Sequence, residues 1–259
     1  MDGLDPTHSA IHVSLSLVYD TMHHICLGRL DTRINRHDSQ LFVNSRHRSR
    51  GLHKDAMGLE YYFPTPLYTA QLEGDVLARV QAELEPLLDR HRDRLQPAGQ
   101  GQHQVTDPNF GSNIIKQEPL TLFQRELDYH VNQYLLALGT HKQIAQWRVS
   151  NSWITHTGHG QYARPHNHGC VDIAGVYYIE AQGTEGNLYV NSPVKSLEHS
   201  YPYHLQPIQM DFEPRLGRMI MFPGWLEHGT RHNLTNLDRV SLSWNIRCEA
   251  WDHGAVFNA

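Results

Sequence analysis

Two histidines lie one residue apart in the middle of the chain, just before a short apolar run. His166 and His168 are followed by residues 173–179, whose pattern predicts a β-strand. Because alternate side chains of an extended chain share one face, imidazoles at positions i and i+2 can point at one metal ion. Pro165 stiffens the approach to the pair, and Gly169 permits a tight turn after it. The pair predicts part of a metal site, although two polar turn residues would give the same pattern.

A third histidine, His228, lies far downstream, and Arg239 follows it by eleven positions. Two ligands close together, a distant histidine and a basic residue at that offset form the layout of a non-haem Fe(II) site that binds 2-oxoglutarate. Arg239 and Ser241 stand at positions i and i+2 of an alternating run. They can therefore hold one carboxylate together, the guanidinium through paired charge-assisted hydrogen bonds. Each residue alone is weak evidence, and the joint pattern is what favours a site.

The same residues also allow other interpretations. The chain has 20 histidines, most of which must be ordinary surface residues, so a metal-free interaction module stays an alternative. The nearest carboxylate, Asp172, could replace His168 as a ligand, because the commoner iron triad has two histidines and one carboxylate. Three neutral imidazoles would leave the site one unit more positive than that triad, which favours an anionic co-substrate.

Composition limits the class of protein. A length of 259 residues fits one large domain, or a domain with an appendage. The net charge of −5 gives no basic field that would attract nucleic acid or an anionic membrane. A mean hydropathy of −0.54 without a long apolar run predicts no transmembrane span. Cysteine is sparse and lacks Cys-x-x-Cys spacing, which indicates a reducing, cytoplasmic compartment; the three residues are Cys26, Cys170 and Cys248.

Residues 1–57 differ from the rest of the sequence. Between Thr32 and Lys54 the chain is rich in Arg, His, Ser and Asn and poor in apolar residues, a composition typical of disorder. We therefore expect a poorly ordered N-terminal extension over residues 1–57 and one folded domain over residues 58–259. A translation start at Met57 and a genuine but flexible arm are both consistent with this pattern.

Two amphipathic helices are predicted before the histidines. Apolar residues recur at helical spacing over residues 76–88, where Pro86 limits or kinks the helix, and over residues 123–138, where Gly139 ends it. Residues 97–119 are rich in Pro, Gly, Gln and Asn and predict a long loop. We expect each helix to pack one face on a sheet.

From about residue 146 the apolar pattern changes to period two, with turn residues between short runs. Many short strands at this spacing predict a sandwich or jelly roll. The last strand is the clearest, because its apolar face should pack on the helices while its polar face begins at Arg239. The candidate strands are residues 147–155, 173–179, 187–191, 218–222, 227–232 and 239–248.

Several short segments carry a family resemblance. They include Pro-His-Asn-His ending at His168, Ala-Gly-Val-Tyr-Tyr ending at Tyr178, and Arg-Val-Ser starting at Arg239. With these segments, residues from about 61 to 248 resemble the 2-oxoglutarate/Fe(II) oxygenases common in phages and marine bacteria, a group similar to prolyl hydroxylases in its catalytic core. The other matching segments are residues 62–68, 152–153, 160–162, 217–223, 225–226 and 228.

The resemblance implies a mainly β fold with flanking helices, a double-stranded β-helix of the jelly-roll or cupin-like kind, and an oxygenase domain over residues 58–259. It implies that Arg239 binds the distal carboxylate of 2-oxoglutarate, with help from Tyr178 and Ser241. Decarboxylation of 2-oxoglutarate would be coupled to oxidation, by hydroxylation, of a small-molecule or peptide substrate, and no catalytic acid or base is required. The implied iron ligands are His166, His168 and His228.

A cupin-like three-histidine metalloenzyme that uses no 2-oxoglutarate, either a dioxygenase or a zinc enzyme, is the alternative enzyme. Arg239 separates the two interpretations, because the alternative has no need of it. The sequence indicates no nucleic-acid or membrane partner and is compatible with a homo-oligomer. It does not identify the substrate, since one fold serves many substrates.

Overall fold

The computed structural model describes residues 65–98, 103–195, 199 and 208–250. The predicted extension over residues 1–57 lies outside the described residues. The helices are α1 (Gly74–His91), α2 (Ile114–Gln117) and α3 (Thr121–Ala137), with a short 3-10 turn at Arg92–Arg94. The strands are β1 (Tyr68–Gln71), β2 (Gln96–Pro97), β3 (Gln104–Val105), β4 (Ile144–Thr157), β5 (Ile173–Glu180), β6 (Leu188–Asn191), β7 (Gln209–Phe212), β8 (Arg218–Pro223), β9 (His228–Thr230) and β10 (Arg239–Ala250).

The strands form two antiparallel sheets. The larger has the order β1-β8-β5-β10-β4-β3-β2, and the smaller has the order β7-β6-β9. Strands that are far apart in sequence are neighbours in both sheets, as in a jelly roll. The mainly β, double-stranded β-helix fold predicted from the sequence is therefore confirmed. All six candidate strands are present, with ends that differ from the expected ones by at most three residues.

The helices cover one face of the large sheet. The apolar side of β10, with Leu242 and Trp244, is fully buried in a cluster that includes residues from α1 and α3. The Phe123 ring of α3 meets the Trp244 indole edge-on, with 5.9 Å between the ring centroids. Gly175 of β5 makes this packing possible, because a Cβ there would lie 2.4 Å from the indole. The opposite face of the large sheet is left for a cavity.

Two local predictions need correction. Helix α1 continues through Pro86 to His91, so this proline does not end the helix. Residues 97–119 are not a continuous loop, since they contain β3 and the four-residue helix α2. The side chain of Asn113 caps α2 by accepting a hydrogen bond from the Lys116 amide at 3.2 Å. Segments this short carry too few residues to show a period in the sequence. Among the described residues, no helix is long and apolar enough to cross a membrane.

Candidate metal centre

The three predicted histidines lie together. His166 and His168 lie in the segment between β4 and β5, and His228 is the first residue of β9. One ligand atom from each lies within 4.8 Å of the other two. Two backbone hydrogen bonds hold this geometry, because the amides of His166 and His228 each donate to the other's carbonyl, at 2.8 and 2.9 Å. The amide of His168 donates to the carbonyl of Gly224 at 2.8 Å.

Hydrogen bonds at Nδ1 set the tautomer of all three rings. His166 Nδ1 lies 2.7 Å from the carbonyl oxygen of Arg164, and His228 Nδ1 lies 2.8 Å from that of Leu226. A carbonyl only accepts, so each Nδ1 carries the proton and donates it. His168 Nδ1 is held in the same way by the side-chain oxygen of Asn245. Each Nε2 is therefore left with a lone pair, which is the form in which a histidine binds a metal.

Burial keeps two of the rings neutral. His228 is buried and His168 half-buried, whereas His166 is exposed. Burial lowers the pKa of His168 to about 4, with a further contribution from neighbouring His166. Burial, followed by the other two histidines, lowers the pKa of His228 well below its ordinary value. At neutral pH, protons therefore compete little with a metal ion for these two side chains.

Asp172, the alternative second ligand, is engaged elsewhere. Its carboxylate accepts a hydrogen bond from the backbone amide of Cys248 at 2.8 Å. The cluster of potential metal ligands found among the described residues contains His168 and not Asp172. The geometry thus places His168, and not Asp172, beside His166 and His228.

Arg239 is buried without an acidic partner. Only 4 % of the surface of this residue is exposed to solvent. One terminal nitrogen donates to the carbonyls of Glu185 and Gly186, and the other donates to the hydroxyls of Thr157 and Thr230, each at 3.1 Å. No carboxylate among the described residues forms an ion pair with this guanidinium. Burial lowers its pKa, yet arginine keeps its proton in proteins.

The one nearby acid is not available to it. The buried carboxylate of Glu185 accepts hydrogen bonds from three backbone amides of its own turn, those of Gln182, Gly183 and Thr184, at 3.0–3.1 Å. A buried cation without a counter-ion is costly. Arg239 is therefore suited to receive an anionic group from a ligand.

All six predicted site residues line one cavity of about 410 Å³ between the two sheets. Tyr178 is buried within it, and burial raises the pKa of its hydroxyl, an effect that Arg239 partly opposes. The hydroxyl is therefore neutral and can donate to an anion. Imidazoles with free lone pairs beside a guanidinium that has no acidic partner can bind a divalent metal ion and a carboxylate ligand. The six residues are His166, His168, Tyr178, His228, Arg239 and Ser241.

Sequence reasoning missed several residues of this site. Asn245 was placed on the polar face of β10, but its contact with His168 was not predicted. Thr157 and Thr230, which hold the guanidinium, are single polar residues in otherwise ordinary strands. The aromatic residues Phe110 and Trp153 at the other end of the cavity were given no role. None of these positions has a spacing signal, because its partners lie far away in the sequence.

Comparison with known proteins finds a family that this part of the chain resembles. Residues 151–245 match the family model described as "Putative 2OG-Fe(II) oxygenase", a span that contains every residue named above for the metal and for Arg239. No curated protein sequence matches the chain. Many solved structures do match it at low sequence identity.

Three solved structures illustrate the likeness. The carbocyclase SnoK from nogalamycin biosynthesis, described as non-heme and alpha-ketoglutarate dependent, is 12 % identical with a TM-score of 0.51, over 72 % of this chain and 81 % of that one. A Pseudomonas putida prolyl-4-hydroxylase is 17 % identical with a TM-score of 0.47, over 71 % and 93 %. HygX from Streptomyces hygroscopicus, solved with nickel, 2-oxoglutarate and hygromycin B, is 14 % identical with a TM-score of 0.48, over 71 % and 83 %.

At these identities the structures inform on the fold alone, and SnoK supports the double-stranded β-helix. The family match over residues 151–245 covers β5 to β9, half of β4 and more than half of β10. Over this segment the chain is similar to the 2OG-Fe(II) oxygenases, which are dioxygenases that use Fe(II) and 2-oxoglutarate.

Proposed function

We propose that the three histidines hold Fe(II) through their Nε2 atoms and that Arg239 binds the distal carboxylate of 2-oxoglutarate. One observation carries the assignment: a buried guanidinium without an acidic partner shares a cavity with three imidazoles whose lone pairs are free. Tyr178 and Ser241 assist by donating hydroxyl hydrogen bonds to the same carboxylate. The proposal thus assigns individual residues to the iron and to 2-oxoglutarate, which the family match alone does not do.

The reaction is hydroxylation of a C–H bond in the substrate, coupled to decarboxylation of 2-oxoglutarate to succinate. When bound, the iron supplies the chemistry that activates O2. The chain's own residues bind and orient: Arg239 fixes the co-substrate, and Asn245 fixes the ring of His168. Arg239 and Tyr178 are buried, which strengthens charge-assisted contacts at their end of the cavity. No side chain is needed as a catalytic acid or base.

Three neutral ligands distinguish this site from the commoner two-histidine, one-carboxylate triad. With His168 in the second position, the iron site carries one more positive unit than that triad. The extra charge favours binding of the dianionic keto acid. We therefore expect His168→Asp to retain Fe(II) while weakening 2-oxoglutarate.

The remaining features of the function follow from the composition. We infer a small-molecule or peptide substrate. We also infer no nucleic-acid partner, because the net charge is −5. A cytoplasmic location is supported by the free thiols of Cys170 and Cys248. The oxygenase domain over residues 58–259 and a homo-oligomeric state stay predictions.

Substitution of Arg239 tests the co-substrate assignment. Charge-assisted hydrogen bonds of this kind contribute roughly 1.5–3 kcal/mol each, and 1.4 kcal/mol is tenfold in affinity. Arg239→Ala should therefore weaken 2-oxoglutarate by roughly two or more orders of magnitude, with little change in Fe(II) affinity. Arg239→Lys should recover only part, because an ammonium keeps the charge but loses the planar fork. Anaerobic titration followed by the visible charge-transfer band measures both affinities.

Arg247 provides the matched control, since it lies on the same strand but is exposed and donates to the carbonyl of Cys170. Arg247→Ala should leave 2-oxoglutarate binding unchanged. If both alanine variants bind 2-oxoglutarate like the unaltered protein, the assignment of Arg239 fails. A three-histidine metalloenzyme without 2-oxoglutarate would then be the better interpretation.

A further inference from the structure

The cavity has two chemically different ends. On β4, Thr157 pairs with Arg239, whereas Trp153 pairs with Ser243, four residues further along. At about 3.4 Å per residue the two ends are roughly 13 Å apart. The Trp153 ring lies 5.9 Å from the ring of His168. The histidine cluster is thus next to the aromatic end, and a co-substrate held at Arg239 leaves that end free.

Phe110 completes the aromatic end in an unusual backbone conformation. Its ring meets Trp153 edge-on, with 4.9 Å between the centroids. Its φ of +53° makes it the one non-glycine residue with positive φ in the described part of the chain. A bulky residue in this left-handed region is strained, and such strain persists only where the surroundings impose it.

The loop around Phe110 is built to impose this conformation. The carboxylate of Asp107 accepts hydrogen bonds from the amides of Asn109, Gly111 and Ser112, at 2.8–2.9 Å. The side chain of Asn151 donates to the Phe110 carbonyl at 3.1 Å. Phe110 is still 42 % exposed as a residue, so its position does not serve to fill the hydrophobic core. A rigid turn that keeps a half-open aromatic ring at a cavity wall resembles a binding surface rather than a packing element.

The charges at the cavity wall restrict what can bind. Among the described residues that line it there is no aspartate or glutamate, and the charged side chains are arginines. A cationic ligand would meet like charge and no counter-ion. The hydroxyls of Thr155 and Ser243 and the ring of His103 offer hydrogen bonds to an uncharged polar group.

We propose that Phe110 and Trp153 form the substrate wall of this oxygenase, and that the substrate is a molecule without a cationic group that carries a flat apolar ring and a hydroxyl group. The proposal rests on the proposed function, because it assigns Arg239 to the co-substrate. Phe110 acts as a specificity-determining residue that presents the ring's target face to the histidine cluster.

Benzyl alcohol is the probe, with benzylamine as its cationic counterpart. Calorimetric titration of the anaerobic protein loaded with Fe(II) and 2-oxoglutarate should show binding of benzyl alcohol and at least tenfold weaker binding of benzylamine. Phe110→Asn tolerates the left-handed backbone but lacks the ring. It should weaken benzyl alcohol about tenfold, the upper size of an aromatic contact, and leave the melting temperature within a few degrees.

Tyr129→Ala is the matched control, because Tyr129 is equally exposed at 43 % and lies on α3, away from the cavity. It should not change benzyl alcohol affinity. No binding of benzyl alcohol to the unaltered protein, equal binding of benzylamine, or unchanged benzyl alcohol affinity in Phe110→Asn would each overturn the proposal. The charge-transfer band is recorded in the same samples. If the band is absent, the proposed function is wrong. If the band is present and a probe test fails, only the assignment of the substrate wall is wrong.

Discussion

Asn245 offers a sharp test of the metal centre, because it touches a proposed ligand without being one. It is 7 % exposed, and its side-chain oxygen accepts the Nδ1 proton of His168. In Asn245→Leu, nothing holds that ring in the tautomer that presents Nε2 to the metal. We expect Fe(II) affinity to fall while the fold persists.

The size of the effect can be worked from the contact. Loss of one neutral buried hydrogen bond costs about 0.5–1.5 kcal/mol, and loss of a group that orients a metal ligand weakens metal binding about 10- to 100-fold. At 1.4 kcal/mol per tenfold, the second range is about 1.4–2.8 kcal/mol, so the two ranges meet near a tenfold loss. Asn245→Leu should therefore weaken Fe(II) by a factor of about ten to a hundred.

Anaerobic Fe(II) titration in competition with a chromophoric chelator measures this change. Asn245→Asp is the control, because it keeps an oxygen acceptor at the same position and should retain affinity within a few-fold. Circular dichroism confirms that both variants are folded. If Asn245→Leu is folded and binds Fe(II) as tightly as the unaltered protein, then His168 does not depend on this contact and its assignment as a ligand is in doubt.

The remaining predictions concern the ligands, pH and the extension. His228→Ala should abolish Fe(II) binding, whereas Asp172→Ala should retain it; the opposite result in chelator titrations would restore Asp172 as a ligand. Burial lowers the pKa of His168 to about 4 in the folded protein. Between pH 6.5 and 4, this histidine is therefore protonated in the unfolded chain but still neutral in the folded one. The unfolding free energy of the metal-free protein should then fall by up to roughly 3 kcal/mol between pH 6.5 and 4. His168→Gln should lose less over the same range in urea titrations, and an identical loss would contradict this cause. A chain starting at Met57 should keep its melting temperature and Fe(II) binding, since residues 1–57 have no continuous apolar face; aggregation or metal loss would show that they belong to the domain.

Much of this architecture was predictable because it depends on the local periodicity of apolar residues. The alternation along β10 predicted one apolar face for the helices, and Leu242 and Trp244 do pack against them. The pair His166 and His168 was predictable because both lie within one short segment. Such features depend on neighbours in the sequence, so a single sequence suffices to predict them.

Other features depend on distant partners and left no local signal. The contacts that distinguish His168 from Asp172 come from Asn245, which engages His168, and from the Cys248 amide, which engages Asp172. The conformation of Phe110 is imposed by the Asp107 carboxylate, which accepts hydrogen bonds from nearby backbone amides, and by the Asn151 side chain, which donates to the Phe110 carbonyl. Tertiary contacts override local preference at such positions, which are often functional ones.

Strand β10 explains why the site and the core cannot vary independently. Its odd-numbered residues supply the guanidinium of Arg239, the hydroxyls of Ser241 and Ser243, and the amide of Asn245, while its even-numbered residues fill the core. A register shift of one residue would move every side chain to the opposite face. It would bury a charged arginine against the helices and expose Trp244 in the cavity. Pairing of β10 with both β4 and β5 over most of its length opposes this shift. The apolar face thus fixes the register, and the register directs Arg239 into the cavity and Asn245 to the ring of His168.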